Sequence, residues 1–269
     1  MREKLSTTIE VSSDSLNVPL GYNMDSYQQE PIIMDMSFVT PHAYIVGQTG
    51  SGKSSVTKFM IKQLIENYAP EQLEIWYLDN QGLEVDEVED LKHVKRAADN
   101  VECAYNELRD LINIMELRIK LLKKFKCKNI LKFNSIVGED EKLPFIVCFI
   151  DEMRPVMINK QLKKNYCNSL SLLVQTSRKV GIHLIFSTQR AVDGHLDTEL
   201  RSAISGKIGL RVSSKTESEY VVGVPGCEKI RADKPGFGYV ALGEEITKFY
   251  TPYVSEESFE ALIEKYGKE

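Results

Sequence analysis

The chain has 269 residues, of which 42% are hydrophobic, enough to bury a substantial core in one large α/β domain or two small ones. A net charge of −5 and a pI near 5.6 exclude a globally basic, nucleic-acid-coating protein; any contact with a polyanion has to come from a local patch. Five cysteines without a C-x-x-C pair and four scattered histidines, at 42, 93, 183 and 195, exclude a zinc framework and fit a reducing compartment.

Residues 1–40 are polar and mixed, with a weakly apolar segment at Pro31–Met36, and read as an N-terminal arm carrying one or two short strands. Residues 41–269 read as the main domain. It opens with the apolar strand Ala43-Tyr44-Ile45-Val46 and runs directly into Gly47-Gln48-Thr49-Gly50-Ser51-Gly52-Lys53-Ser54, a full match to G-x-x-x-x-G-K-[ST]. Apolar residues at helical spacing follow from Ser55 to Ile65.

Strand, glycine loop and helix in that order build a phosphate site. Glycines let successive N–H groups turn toward phosphate oxygens, and the helix start adds the positive end of its dipole. Lys53 is expected to reach the β- and γ-phosphates, and Ser54 to place its hydroxyl on Mg²⁺. The site therefore comprises Gly47, Gln48, Thr49, Gly50, Ser51, Gly52, Lys53, Ser54 and Ser55, with ATP and Mg²⁺ as its ligands.

Leu73–Leu78 reads as a second strand, ending at Asp79-Asn80-Gln81-Gly82. The acidic run Glu84–Asp90 that follows is most simply a solvated loop. Asp99 and Glu102 resemble a capping box for a long amphipathic helix with Val101, Ala104, Leu108, Leu111, Ile112, Met115, Ile119 and Leu122 on one face. Arg118, Lys120, Lys123, Lys124, Lys126 and Lys128 load its far end with cations, which fits either the negative pole of the helix or a partner-binding patch.

Pro144–Ile150 is continuously apolar, as expected of a parallel strand covered on both faces, and it ends in Asp151-Glu152. A carboxylate pair at such a tip, in a chain with a phosphate loop, fits a Walker B element: Asp151 holding Mg²⁺ and Glu152 polarising the attacking water. A helix ending near Gly181 leads to the strand His183–Thr188, and Gln189 at its tip is placed to hydrogen-bond a γ-phosphate or its water. A strand at Ile208–Val212, a hairpin of Gly238–Leu242 with Ile246–Tyr250, and a Ser255-capped helix to Tyr266 complete the chain. The alternation argues an α/β fold with a mostly parallel sheet and helices on both faces.

Pro41–Gly47 into the phosphate loop, Phe149-Ile150-Asp151-Glu152, Arg178 through Arg190 with the string Gly181-Ile182-His183-Leu184 and Thr188-Gln189-Arg190, and Leu210–Lys215 together resemble the FtsK/SpoIIIE family of motor ATPases, over roughly residues 19–255. The resemblance implies a RecA-like P-loop core in a ring, a homohexamer, that hydrolyses ATP between neighbours and translocates double-stranded DNA. A related branch, the type VII secretion ATPases, moves secreted proteins, and Val222–Gly226 and Pro235–Val240 are similar to that branch. It further implies an arginine acting from the adjacent subunit. Arg118 is similar to the family's E-R-R element, although Leu117 replaces an arginine, and Arg178 is the second candidate.

Asp79-Asn80-Gln81-Gly82 stands where many members have D-P-K, and Met153-Arg154-Pro155 replaces a more apolar stretch. No winged-helix segment for reading DNA orientation follows the core, so sequence-guided polarity is not expected. No apolar run approaches the roughly 18 residues of a membrane span, so a cytoplasmic chain is expected, brought to the inner face of a membrane by another segment or by an anchored partner.

Overall fold

The computed structural model describes residues 8–190 and 198–268. Ten strands form one sheet: β1 (Asn17–Asn23), β2 (Pro31–Asp35), β3 (His42–Val46), β4 (Leu73–Asp79), β5 (Val94–Ala98), β6 (Phe145–Asp151), β7 (Ile182–Thr188), β8 (Gly206–Gly209), β9 (Phe237–Leu242) and β10 (Glu245–Tyr250). Their order is β2-β1-β10-β9-β8-β3-β7-β6-β4-β5. From β8 to β5 all neighbours are parallel, whereas β9, β10, β1 and β2 extend the sheet antiparallel.

The central strands are apolar on both faces because both are covered. Along β6, Phe145, Val147 and Phe149 enter one core while Ile146, Cys148 and Ile150 enter the other, the period-two alternation of a strand. The first core packs against helices α1 (Lys53–Asn67) and α8 (Glu256–Tyr266), through Phe59, Met60, Leu64, Phe259 and Leu262. The second lies under α2 (Val101–Lys124), α5 (Lys163–Thr176) and α7 (Lys215–Val222), through Leu108, Leu111, Leu170, Leu173 and Val221. Three shorter α-helices lie among the described residues: α3 (Ile130–Asn134), α4 (Arg154–Ile158) and α6 (Thr198–Ala203).

Several local expectations are refined. The residue capping α2 is Asn100, whose side-chain oxygen accepts from the Glu102 and Cys103 amides at 3.0 and 2.9 Å, in place of Asp99. Gly181, at φ 73°, caps the one-turn helix Arg178–Val180, because α5 itself stops at Thr176. Strand β5 went unpredicted, since its Lys95 and Arg96 break the apolar run at a sheet edge where one neighbour suffices. Strands β1 and β2 are continuous with the sheet: β1 pairs with β10 at Tyr22 and Tyr250, and Leu16, Val18 and Leu20 share the first core with α1.

Candidate active site

Parallel pairing brings the C-terminal tips of β3, β7, β6 and β4 side by side, with Val46 opposite Thr188 and Asp79 opposite Asp151. In an open parallel sheet this edge is where ligands bind. The four tips carry the phosphate loop, Gln189, the Asp151-Glu152 pair and Asp79-Asn80.

The loop is shaped by two left-handed glycines, Gly50 at φ 73° and Gly52 at φ 98°, which side chains rarely tolerate. A Cβ on Gly52 would lie 2.3 Å from the Gly236 nitrogen, and that N–H donates to the Ser51 carbonyl at 2.8 Å. The loop is thus buttressed by the Pro235–Gly236 turn ahead of β9. Its other end is tied by the Gly47 amide on Thr188 O and the Gln48 amide on Arg211 O. The first-turn N–H groups of α1 have no intrahelical acceptor and are left for an anion. Lys53 Nζ folds over the loop to donate to Gly47 O at 2.9 Å. Burial lowers the Lys53 pKa, opposed by the charges of Glu152, Asp151 and Glu84.

Ser54 donates its hydroxyl to Glu84 Oε1, and Tyr77 holds the other Glu84 oxygen at 3.3 Å. Asp79 fixes this turn, its carboxylate accepting from the amides of Gln81, Leu83 and Glu84 at 2.8, 2.6 and 2.8 Å. Glu84 therefore belongs to the site and not to a solvated loop. Its signal in the sequence was one acidic residue five positions after a strand tip, indistinguishable from the exposed Asp86, Glu87, Glu89 and Asp90 that follow.

Asp151 accepts from Ser187 Oγ at 2.5 Å. Burial, with Glu84 and Asp79 adding like charge, raises its pKa to about 6 against the Ser187 bond and Lys53. Such a carboxylate gains from a nearby cation. Ser54 and Asp151 offer hard oxygen donors of the kind Mg²⁺ takes alongside waters and phosphates, so the residues present fit the metal.

Glu152 is buried at 2% exposure and sits at φ 44°, a left-handed conformation for a non-glycine residue. One carboxylate oxygen accepts from the Arg154 amide at 3.1 Å and from Thr188 Oγ1 at 3.2 Å. The other, Oε2, is buried with no hydrogen-bond partner among the described residues. Gln189 reaches across to the loop, its Oε1 accepting from Thr49 Oγ1 at 3.2 Å.

Neither candidate arginine joins this cluster. Both lie near the N-terminal end of β7, a strand length from the loop. Arg118 is buried at 7% exposure, and its guanidinium donates to Val180 O at 2.9 Å; burial lowers its pKa to about 10. It is committed to holding α2 against the turn before β7. Arg178 is exposed, donating to Ser37 O at 3.1 Å and to Phe38 O. The lysines ending α2 all face solvent.

A family model described as FtsK/SpoIIIE family matches residues 4–193. The chain belongs to the FtsK/SpoIIIE family. Within it, the chain is 32% identical over 244 residues to the DNA translocase FtsK of Campylobacter jejuni, covering 86% of this chain and 25% of that protein. To the DNA translocase FtsK of Leptospira interrogans it is 30% identical over 239 residues, covering 85% and 25%. The chain thus spans about a quarter of these relatives. Among solved structures, the cytoplasmic domain of the Thermomonospora curvata type VII secretion ATPase EccC superposes with a TM-score of 0.82 at 25% identity, covering 95% of this chain and 31% of that one. The pCW3 conjugation coupling protein TcpA, solved with ATPγS, shares the fold at a TM-score of 0.75 and 22% identity, covering 93% and 70%. The α/β P-loop architecture expected from the sequence is that of this family.

Proposed function

We propose that this chain is the ATP-hydrolysing motor unit of a ring translocase that moves double-stranded DNA, with residues 41–269 as the ATPase unit and the strands before them as its flank. The observation that carries it is the partner-free, buried Oε2 of Glu152 beside the phosphate loop. A protein that only binds nucleotide has no use for a desolvated carboxylate oxygen there, whereas hydrolysis needs an acceptor for the attacking water's hydrogen bond.

In this reading the loop amides and Lys53 hold the triphosphate and offset charge on the leaving oxygens. Ser54 and Asp151 would hold Mg²⁺, which would supply charge neutralisation for the triphosphate. Glu152 Oε2 orients and polarises the water, and Gln189 reports on or positions the γ-phosphate side. An arginine from the adjacent copy completes the site. Arg178 is exposed and suits that role; Arg118 would first have to leave Val180. A ring, taken as a hexamer of a cytoplasmic chain, would supply that neighbour. Among the described residues no helix is long and apolar enough to cross a membrane.

The DNA reading is supported by the FtsK relatives. The likeness to EccC and the net charge of −5 favour protein secretion as the second reading. Turnover of wild type is compared with Lys53→Ala and Glu152→Gln; undiminished rates in both variants would remove the motor reading. Salt-sensitive stimulation by duplex DNA supports DNA as cargo. Stimulation only by a secreted helical protein assigns the secretion branch.

A further inference from the structure

Asn80 occupies the position at which the sequence departs from the D-P-K of many family members, and its side chain is buried at 5% exposure between two elements of the site. Its Nδ2 donates to the carbonyls of both Asp151 and Glu152, at 3.0 and 3.2 Å, while its backbone N–H also reaches Asp151 O at 3.3 Å. Its Oδ1 accepts from the hydroxyl of Tyr166 on α5 at 3.2 Å, and Tyr166 is fully buried. The residue beyond these two carbonyls is Met153, so the amide clamps the backbone on both sides of the left-handed turn at Glu152.

We propose that Asn80 is a positioning residue that holds Glu152 in its left-handed conformation, with Tyr166 fixing the amide from α5; the inference rests on the hydrolytic reading of Glu152. A non-glycine residue in the left-handed region persists only where its surroundings over-determine it. Here the two carbonyls flanking the strained residue's own Cα share one donor group, and that donor is in turn oriented by a buried hydroxyl. The chemistry demands an amide. An aspartate would set a carboxylate against two carbonyl oxygens, and an apolar residue would strip the side-chain donor from both carbonyls, leaving Asp151 O only the backbone N–H, and would take away the acceptor of the Tyr166 hydroxyl. Asp79, one residue earlier, pins the following turn through three amides, so Asn80 is anchored from the β4 side as well. The consequence is that Glu152 Oε2 is presented at a fixed place relative to the loop. Without the clamp, the backbone relaxes toward negative φ and the carboxylate moves away from Thr188.

The test has two arms. In a crystal structure of the Asn80→Ala protein, Glu152 is expected to leave the left-handed region; retention of φ near its present value would overturn the proposal whether or not the protein hydrolyses ATP. In steady-state assays on the full chain, Asn80→Ala and Asn80→Asp are expected to lower kcat about 10- to 100-fold, as for residues that orient a catalytic ligand. The ATP dissociation constant, read from a fluorescent nucleotide, is expected to stay within about twofold. Tyr166→Phe, which removes one hydroxyl, is expected to lower kcat in the same direction by a smaller factor and to add nothing to Asn80→Ala. In a Glu152→Gln background Asn80→Ala is expected to cause no further loss. A further loss there, or a parallel loss of nucleotide affinity, would make Asn80 a general structural residue.

Discussion

Ser54 and Glu84, 30 residues apart in sequence, share a hydrogen bond at the mouth of the phosphate loop, with Ser54 as donor. Because the hydroxyl gives its proton to Glu84, its lone pairs remain available to a cation. Glu84 thus supports Ser54 from outside, and Tyr77 supports Glu84. Glu84→Ala is expected to raise the Mg²⁺ concentration needed for half-maximal nucleotide affinity about tenfold, the lower end of what losing such a supporting acceptor costs. Tyr77→Phe should shift it less. A nucleotide titration at a series of Mg²⁺ concentrations reads this directly, and an unchanged requirement in Glu84→Ala would refute the supporting role.

Lys53 is the one charged residue in the Gly47–Ser54 loop, and its ammonium rests on Gly47 O in a partly desolvated place. Lys53→Ala is expected to weaken ATP binding at least about tenfold, since a charge-assisted contact in such a site contributes about 1.5–3 kcal/mol. The melting temperature is expected to hold or rise, because a desolvated cation is removed. Calorimetric titration together with a thermal scan checks both halves.

The two arginines are expected to separate cleanly. Arg118→Ala leaves Val180 O without its donor and opens space under α2, so a loss of about 2–4 kcal/mol is expected in urea unfolding. Arg178→Ala removes exposed contacts, and a loss under about 1 kcal/mol is expected with a large fall in turnover of the assembled protein. If Arg118→Ala were as stable as wild type and lost only activity, the trans role would return to Arg118.

Stability should depend on pH through His42 and His183. Burial, with the charges of His183 and Arg178, holds the His42 pKa down to about 3; burial, with the charges of Arg178 and Arg118 and against the bond to Pro41 O, holds that of His183 down to about 4. Free imidazole titrates near 6.5, so the unfolded chain takes up these protons first. Stability is full above about pH 6.5 and is lost as pH falls toward 4, by on the order of several kcal/mol for the pair. Asp151 works the other way: with its pKa raised to about 6, it protonates earlier in the fold and offsets part of the loss. Melting curves between pH 7.5 and 4.5 should show the decline, and His183→Asn, which can still donate to Pro41 O, should flatten it. Identical pH dependence in wild type and His183→Asn would mean that other groups govern it.

Most of the fold was legible because the signals are local. An unbroken apolar run such as Phe145–Ile150 has to be a strand covered on both sides, and Ser255 before an amphipathic stretch has to start a helix; both do. The phosphate loop was legible for the same reason, since two glycines and a lysine at fixed spacing encode a backbone path within eight residues. Edge strand β5 was missed because one sheet neighbour and the exposed Lys95 and Arg96 leave too weak a pattern in Val94–Ala98.

The sequence by itself determined the α/β class, the phosphate loop, the acidic pair and the resemblance to the FtsK/SpoIIIE family, all through patterns of residues near in the chain. Only the tertiary structure decided that Glu84 and Asn80 belong to the site while Arg118 is spent inside the fold. Each of those outcomes depends on which strand tips and helix faces meet, and a side chain's partners across 30 to 86 residues leave no trace in its immediate neighbours.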